Sequence, residues 1–241
     1  MKDIAVIAID GHASSGKTSI SKMLSDKLGF YFLDSGILYR AMGYISIKEK
    51  VNLNSTQNTF SVLKKFDLRP DSDQYFKVYY DNNDITPKLY TEDIGQRASV
   101  ISKYSPVRDA LLKLQHSCVM VPGLVANGRD MGTKVFPNAV LKIFMTASIE
   151  VRAKRRYKEL IESGLEVNLE DIQNKIAERD DSDKKRDISP LISASDAHII
   201  DSTNLNLDTI LDKILELYNI WDSMVFSMRN IFNAVRIWST F

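Results

Sequence analysis

Residues 5–19 read AVIAIDGHASSGKTS, and this stretch decides the fold. Its front half continues an apolar run over residues 4–9, the kind of segment a buried strand needs. Gly11, His12, Ala13, Ser14, Ser15, Gly16, Lys17, Thr18 and Ser19 follow, matching the phosphate-binding pattern of two glycines five apart with lysine and a hydroxyl residue next. The glycines let the backbone curl so that successive N–H groups converge on phosphate oxygens. Ile20, Met23, Leu24 and Leu28 then recur at helical spacing, so a helix opens at the loop and adds its positive dipole end there. Lys17 is placed to reach the outer phosphates, and the Thr18 hydroxyl to ligate Mg²⁺. An ordinary glycine- and serine-rich turn is the competing reading, but motif and flanks agree on the first.

The rest of the composition narrows the class. With 241 residues, 44% of them hydrophobic, the chain can bury one substantial core and has room for an inserted subdomain. A formal net charge of +1 gives no electrostatic reason to expect nucleic acid or a membrane as the main partner. The single cysteine, Cys118, leaves no intramolecular disulfide and suggests no metal cluster. No signal or transit peptide is expected before the first strand, and no uncharged apolar run approaches a membrane span. The expectation is a soluble chain in a reducing, cytoplasmic compartment.

Further along, residues 30–33 read as a strand closing on Asp34, Ser35 and Gly36, with Tyr39 and Arg40 early in the next helix. Polar groups at the carboxyl end of a strand are where open α/β sheets bind ligands, although a helix cap with a solvated arginine is the plainer account. Residues 75–85, YFKVYYDNNDI, carry a β-hairpin signal around an Asx-rich turn, so an insert with its own small antiparallel sheet is expected. Helices are expected over residues 92–104 and 106–120, and strands over 123–126, 139–145 and 197–200. Arg152, Lys154, Arg155, Arg156 and Lys158 make a strongly basic helix: a solvated face paired with Glu150 and Glu159, or a lid closing over phosphates. Arg179, Asp183 and Arg186 are spaced to share one helix face, which an exposed ion-pair ladder would also explain. Strands alternating with helices predict an α/β fold with a parallel sheet.

Taken together, IAIDGHASSGKTS, FLDSGILYRAM, VANGRDMGTKVFPNAVLKIFMTAS, RAKRRYKEL, IAERDDSDKKRDISPL and DAHIIDST make the chain resemble the bacterial cytidylate kinases, among the P-loop nucleoside monophosphate kinases, over residues 4–218. The resemblance implies a five-stranded parallel sheet flanked by helices, in a kinase domain over residues 1–221. It implies a monophosphate-binding insert at 54–96 and a helical lid at 152–167. It implies transfer of the ATP γ-phosphoryl group, with Mg²⁺, to CMP or dCMP, by a monomer. Lys17, Arg129 and Arg186 would be catalytic, and the loop from Gly11 to Ser19, with Arg155 and Arg156, would bind ATP. Ser35, Arg40, Arg129 and Arg186 would hold the monophosphate, and Arg179 and Asp183 would face the ribose. Ser99, Arg108 and Asp130 would read the cytosine edge, which offers one amino donor and two acceptors. His12 departs from the family, which often has proline there; it is read as a tolerated side chain, because the loop works through its backbone.

Two other readings stay open: a P-loop kinase with a different small-molecule acceptor, and a nucleotide-binding protein without turnover. The resemblance stops short of residues 222–241. From just before that stretch, Trp221, Met224, Val225, Met228, Ile231, Phe232, Val235 and Trp238 recur on one helical face, too polar in its surroundings to span a bilayer. This amphipathic extension is expected to contact its own core or a protein partner, in preference to a membrane surface.

Overall fold

The apolar run becomes strand β1 (Ala5–Gly11), buried at all 7 positions. The computed structural model describes residues 4–238, with side chains described through residue 223. A strand buried on both faces needs strand neighbours on each side and helices above and below. The chain supplies these in turn: α1 (Lys17–Leu28), β2 (Tyr31–Asp34), α2 (Ser35–Lys48) and α3 (Thr56–Leu63). Next come β3 (Phe66–Pro70), β4 (Phe76–Tyr80), β5 (Asn83–Asp84), α4 (Glu92–Ile101) and α5 (Ser105–Ser117). They are followed by β6 (Gly123–Asn127), β7 (Leu141–Thr146), α6 (Ile149–Glu162), α7 (Leu169–Lys184), β8 (His198–Asp201) and α8 (Leu207–Trp238).

The main sheet has five strands in the order β2-β6-β1-β7-β8, all parallel, as expected. Alternate side chains of β1 feed two cores. Ile7 and Ile9, both 0% exposed, pack with Ile20 and Leu24 of α1 and with Ile210 and Ile214 of α8. Val6 and Ala8 face the other core, with Leu38, Met42 and Ile45 of α2 and Val107 and Leu111 of α5. Burying each large aliphatic side chain contributes about 1.5–3 kcal/mol, so the sheet position of β1 is set before the loop begins. The loop entrance admits only glycine: at Gly11 φ is +143°, and a Cβ would sit 2.0 Å from the carbonyl oxygen of Met145.

The expected small sheet is present, with strand order β3-β4-β5, all antiparallel. Its tight turn falls on Asp81 (φ 49°) and Asn82 (φ 60°), residues that tolerate the left-handed conformation a two-residue hairpin needs. The sheet is tied to the core where Phe32 N donates to Gln74 O (3.0 Å) and the Tyr75 hydroxyl donates to Asp26 Oδ1 of α1 (2.7 Å).

Three details differ from the sequence expectation. Helix α3 was not anticipated; Ser55 caps it by accepting from Asn58 N (3.2 Å). Arg186 lies beyond the end of α7 rather than on its face. The helical extension expected after residue 221 is not a separate element, for α8 runs unbroken from Leu207 to Trp238. The apolar face proposed for the extension involves side chains outside the described residues. No helix among the described residues is long and apolar enough to cross a membrane.

Candidate active site

The phosphate loop lies at the carboxyl end of β1, and Lys17 is the first residue of α1, with left-handed Gly16 at its cap. The Lys17 ammonium donates to the His12 carbonyl at 2.7 Å. Lys17 is held well below the usual lysine pKa, by burial first and then by Arg129 and Arg179, with Asp34 and Asp10 opposing. The Thr18 hydroxyl oxygen accepts from Asn127 Nδ2 at 3.3 Å. His12 meets the Phe144 ring edge-on, with centroids 5.9 Å apart, and burial lowers its pKa.

Two arginines of the basic helix α6 brace the loop from outside. Arg152, 5% exposed, donates to Ala147 O (2.9 Å) and Ala13 O (3.4 Å) and pairs with Asp180 of α7 at 2.6 Å. Arg155 donates to Ser202 O (2.7 Å), Ser202 Oγ (3.0 Å) and Ser15 O (3.5 Å), while Ser202 Oγ itself donates to Ser15 O (3.0 Å). Arg156 pairs with Glu159 (2.8 Å), as the solvated-face account expected, and also reaches Glu92 of α4 (3.4 Å). Glu150 supplies no such partner among the described residues.

Beyond the loop, Arg129, Arg179 and Arg186 gather around one carboxylate. Asp183 accepts from Arg129 Nε at 3.0 Å, and its other oxygen lies 3.8 Å from Arg186 Nη1. Arg179 opens onto the cleft; the protein crowding its guanidinium, together with Arg129, pushes it down to about 10. Burial also lowers Arg186, whose Nη2 is sealed from solvent without a hydrogen-bond partner. Like charges this close are a standing invitation to an anion. Arg40 reaches across to the segment between β5 and α4, donating to Leu89 O (2.8 Å) and Thr91 O (3.2 Å), so it is anchored rather than solvated. Asp34 caps α2 through Gly36 N (3.0 Å). Ser35 is buried against Gly128, where a Cβ would come within 2.5 Å of its hydroxyl.

The far end of this cluster is the buried ion pair of Arg108 and Asp130, 9% and 5% exposed. Arg108 Nη1 also donates to Ser102 O (3.0 Å), and its guanidinium lies 5.6 Å from the Tyr39 ring centroid. Burial would lower Arg108, but Tyr39 and Asp130 outweigh it and hold it above its usual value. Ser102 links the groups: its hydroxyl donates to Ser99 O (2.8 Å) and faces Arg186 Nη1 at 3.5 Å. Arg108, Asp130, Arg129, Asp183 and Arg186, from α5, α7 and the turn after β6, thus form one connected cluster through Ser102, with Ser35 against Gly128 beside it, whereas Ser99 enters it only through its backbone carbonyl.

The cytidylate kinase family pattern matches residues 7–220. The cytidylate kinase of Ralstonia nicotianae is 38% identical over 224 residues, covering 90% of this chain and 96% of that protein. Those of Cupriavidus necator and Bacillus subtilis are 40% and 39% identical, covering 90% and 87% of this chain and 97% and 94% of their own. The chain belongs to the cytidylate kinase family. As a cytidylate kinase family member it is a phosphotransferase built on a P-loop kinase fold.

Within this cytidylate kinase fold, several neighbours of the site went unnamed in the sequence reading. Asp10, Asn127 and Asp180 are polar side chains held close to the loop, and Arg152, legible in the sequence only as part of the basic helix, joins them by pairing with Asp180. The position of Asn127 at the carboxyl end of a strand was the one signal available for it. Asp183 carries a measurable consequence. Burial would raise its pKa, but Arg129, Arg186 and Arg179 prevail and hold it below its usual 3.8. A depressed carboxylate stabilises the fold above its unfolded value, and that contribution is lost as pH falls through the lower folded value. As pH falls below the usual 3.8, the Tm of the wild type is therefore expected to fall more steeply than that of Asp183→Asn; parallel curves would count against the pairing.

Proposed function

We propose that the chain transfers the γ-phosphoryl group of ATP to CMP or dCMP, giving CDP or dCDP. The single observation that carries this reading is the buried Arg108–Asp130 pair at the end of an arginine cluster beside the phosphate loop. Polyanion binding accounts for the arginines; a base that offers both a donor and acceptors is matched by a carboxylate and a guanidinium side by side. Family membership points to the same acceptor.

The acceptor is already a phosphate anion, so the reaction requires no general base; it asks for alignment and charge neutralisation. In this reading Arg40, Arg129 and Arg186 hold the monophosphate with Ser35 beside it. Arg179 and Asp183 face the ribose. Asp130 accepts from the cytosine amino group while Arg108 and Ser99 serve the two acceptors. Lys17 offsets charge on the migrating group. Arg155 supports the loop through Ser15 O, and Arg156 spans to Glu92, so direct contacts of these two with ATP require those bonds to exchange. The segment at 54–96 acts as the acceptor-side insert and 152–167 as the lid, whose closure excludes water.

Mg²⁺ takes few protein ligands and keeps waters and substrate phosphates. One hydroxyl, Thr18 Oγ1, oriented by Asn127, fits that habit, and no group of three or more His, Cys, Asp or Glu among the described residues offers a competing cage. Thr18 would hold the ion, which when bound neutralises charge on the β- and γ-phosphates.

The test is formation of CDP from ATP and CMP, with UMP and other small acceptors in parallel. Turnover of a different acceptor alone would favour another P-loop kinase, and ATP binding without any product would favour a non-catalytic role. Since every assigned residue lies upstream of it, the distal part of α8 is expected to be dispensable for chemistry. A chain ending at Trp221 should keep CDP formation while its Tm or oligomeric state changes; normal folding with lost transfer would place the tail in the site.

A further inference from the structure

Asp10 stands one residue before the phosphate loop, and the proposed reaction does not use it. Its side chain is 5% exposed and accepts two backbone N–H bonds, from Met131 and Gly132, each 2.8 Å. Those amides open the single π-helical turn Met131–Val135, and the first donors of such a turn have no partner within it. Asp10 therefore caps the turn from across the sheet. Arg129 and Asp130 lie immediately before it. The last ladder bond on their other side is Gly128 N to Ile9 O, at 3.0 Å. The backbone of these two site residues is thus bracketed by one ladder bond and the two bonds made by Asp10, while their side chains pair with Asp183 and Arg108.

The phosphate loop is held differently. Gly11 is in register with Met145 of β7, so the end of β1 is fixed by strand pairing. A buried carboxylate with no ion-pair partner among the described residues is a costly group for packing alone. The charged groups facing it are Lys17 of the loop and Asp130 of the turn, while the stem of Lys142 of β7 lies against Gly132. Burial raises its pKa to about 6, with the two amide bonds and Lys17 pulling down and Asp130 adding to the rise.

We propose that Asp10 is a positioning residue for phosphoryl transfer, setting Arg129 and Asp130 in register with the phosphate loop so that acceptor phosphate and base are aligned on ATP. This rests on the assignment of those two residues to the acceptor nucleotide. Asp10→Asn keeps the shape but turns an NH₂ group toward one of the two amide donors, displacing the turn on one side. Misplacement on the ångström scale can cost up to about 10²-fold, so kcat is expected to fall about 10-fold or more. KM for CMP should rise while KM for ATP stays unchanged. Protonation of Asp10 in the wild type removes the same bond, so an acid limb in kcat near pH 6 is expected, and the variant should lack it.

A folded variant with unchanged kcat, KM values and acid limb overturns the proposal, as does one that raises both KM values alike. Should Asp10→Asn fail to fold, amide exchange in the wild type decides. Protection at Met131 and Gly132 should fall below pH 6 relative to the β6 amides, and constant relative protection overturns the proposal. Absence of CDP formation by the wild type would instead defeat the proposed function, leaving the exchange measurement to judge the role of Asp10 in holding the turn.

Discussion

Lys17→Met is expected to lower kcat by roughly 10²–10³, the usual loss when one preorganised charge-stabilising group is removed. Lys17 is the only lysine of the loop, is 6% exposed, and has its Nζ held by the His12 carbonyl at 2.7 Å. Its depressed pKa, caused first by burial and then by Arg129, shows the same site already crowded with positive charge. Removing the ammonium relieves that crowding, so the fold should survive and Tm should not fall. The loss is expected in kcat more than in KM for CMP, because the charge offset belongs to the migrating phosphoryl group. Near-normal turnover in a folded variant would remove the loop lysine from its assigned role.

Asp130→Asn is expected to act twice. Arg108 is 9% exposed and would keep its charge without a counter-charge. Losing one partner of a buried pair costs up to about 3–5 kcal/mol, which for a chain of this size lowers Tm by on the order of 10 °C. The second effect is on specificity. A carboxylate only accepts, and so suits the cytosine amino group; an amide can donate to the carbonyl that uracil carries there. The ratio of kcat/KM for UMP over CMP should rise roughly 10-fold or more, since a buried polar group left unpaired discriminates strongly. Steady-state kinetics with both nucleotides, alongside a melting curve, separates the two effects. A destabilised variant with an unchanged nucleotide ratio would make the pair structural and move base recognition elsewhere.

The legible parts of this chain are local. Strand, glycine loop and helix follow one another within residues 5–28, and each signal lies within a few residues of its effect. The hairpin turn at Asp81 and Asn82 was equally readable, because those side chains tolerate positive φ wherever they occur. Helix α3 escaped because its TQNTFSVL is mostly polar and only Thr59 and Val62 are buried, so tertiary contact rather than periodicity holds it. The basic helix gave no hint of its division of labour. Arg152 and Arg155 turn inward to Ala13, Ser15 and Ser202, and Arg156 outward to Glu92, though the three lie within five residues.

Taken by itself, the order of residues determined the parallel sheet and the position of the phosphate loop, whereas the charged groups assigned to the acceptor came from the resemblance to the family. Backbone conformation and amphipathic spacing are properties of neighbouring residues, so they survive in a one-dimensional reading. Only the tertiary structure decided which charges share a carboxylate, that Arg108 and Asp130 meet across 22 positions, and that Asp10 holds a turn 121 residues away. Burial and charge pairing depend on which surfaces the fold presses together. A carboxylate in a short strand reads the same whether it meets water, an arginine or two amides, and only the packing tells them apart.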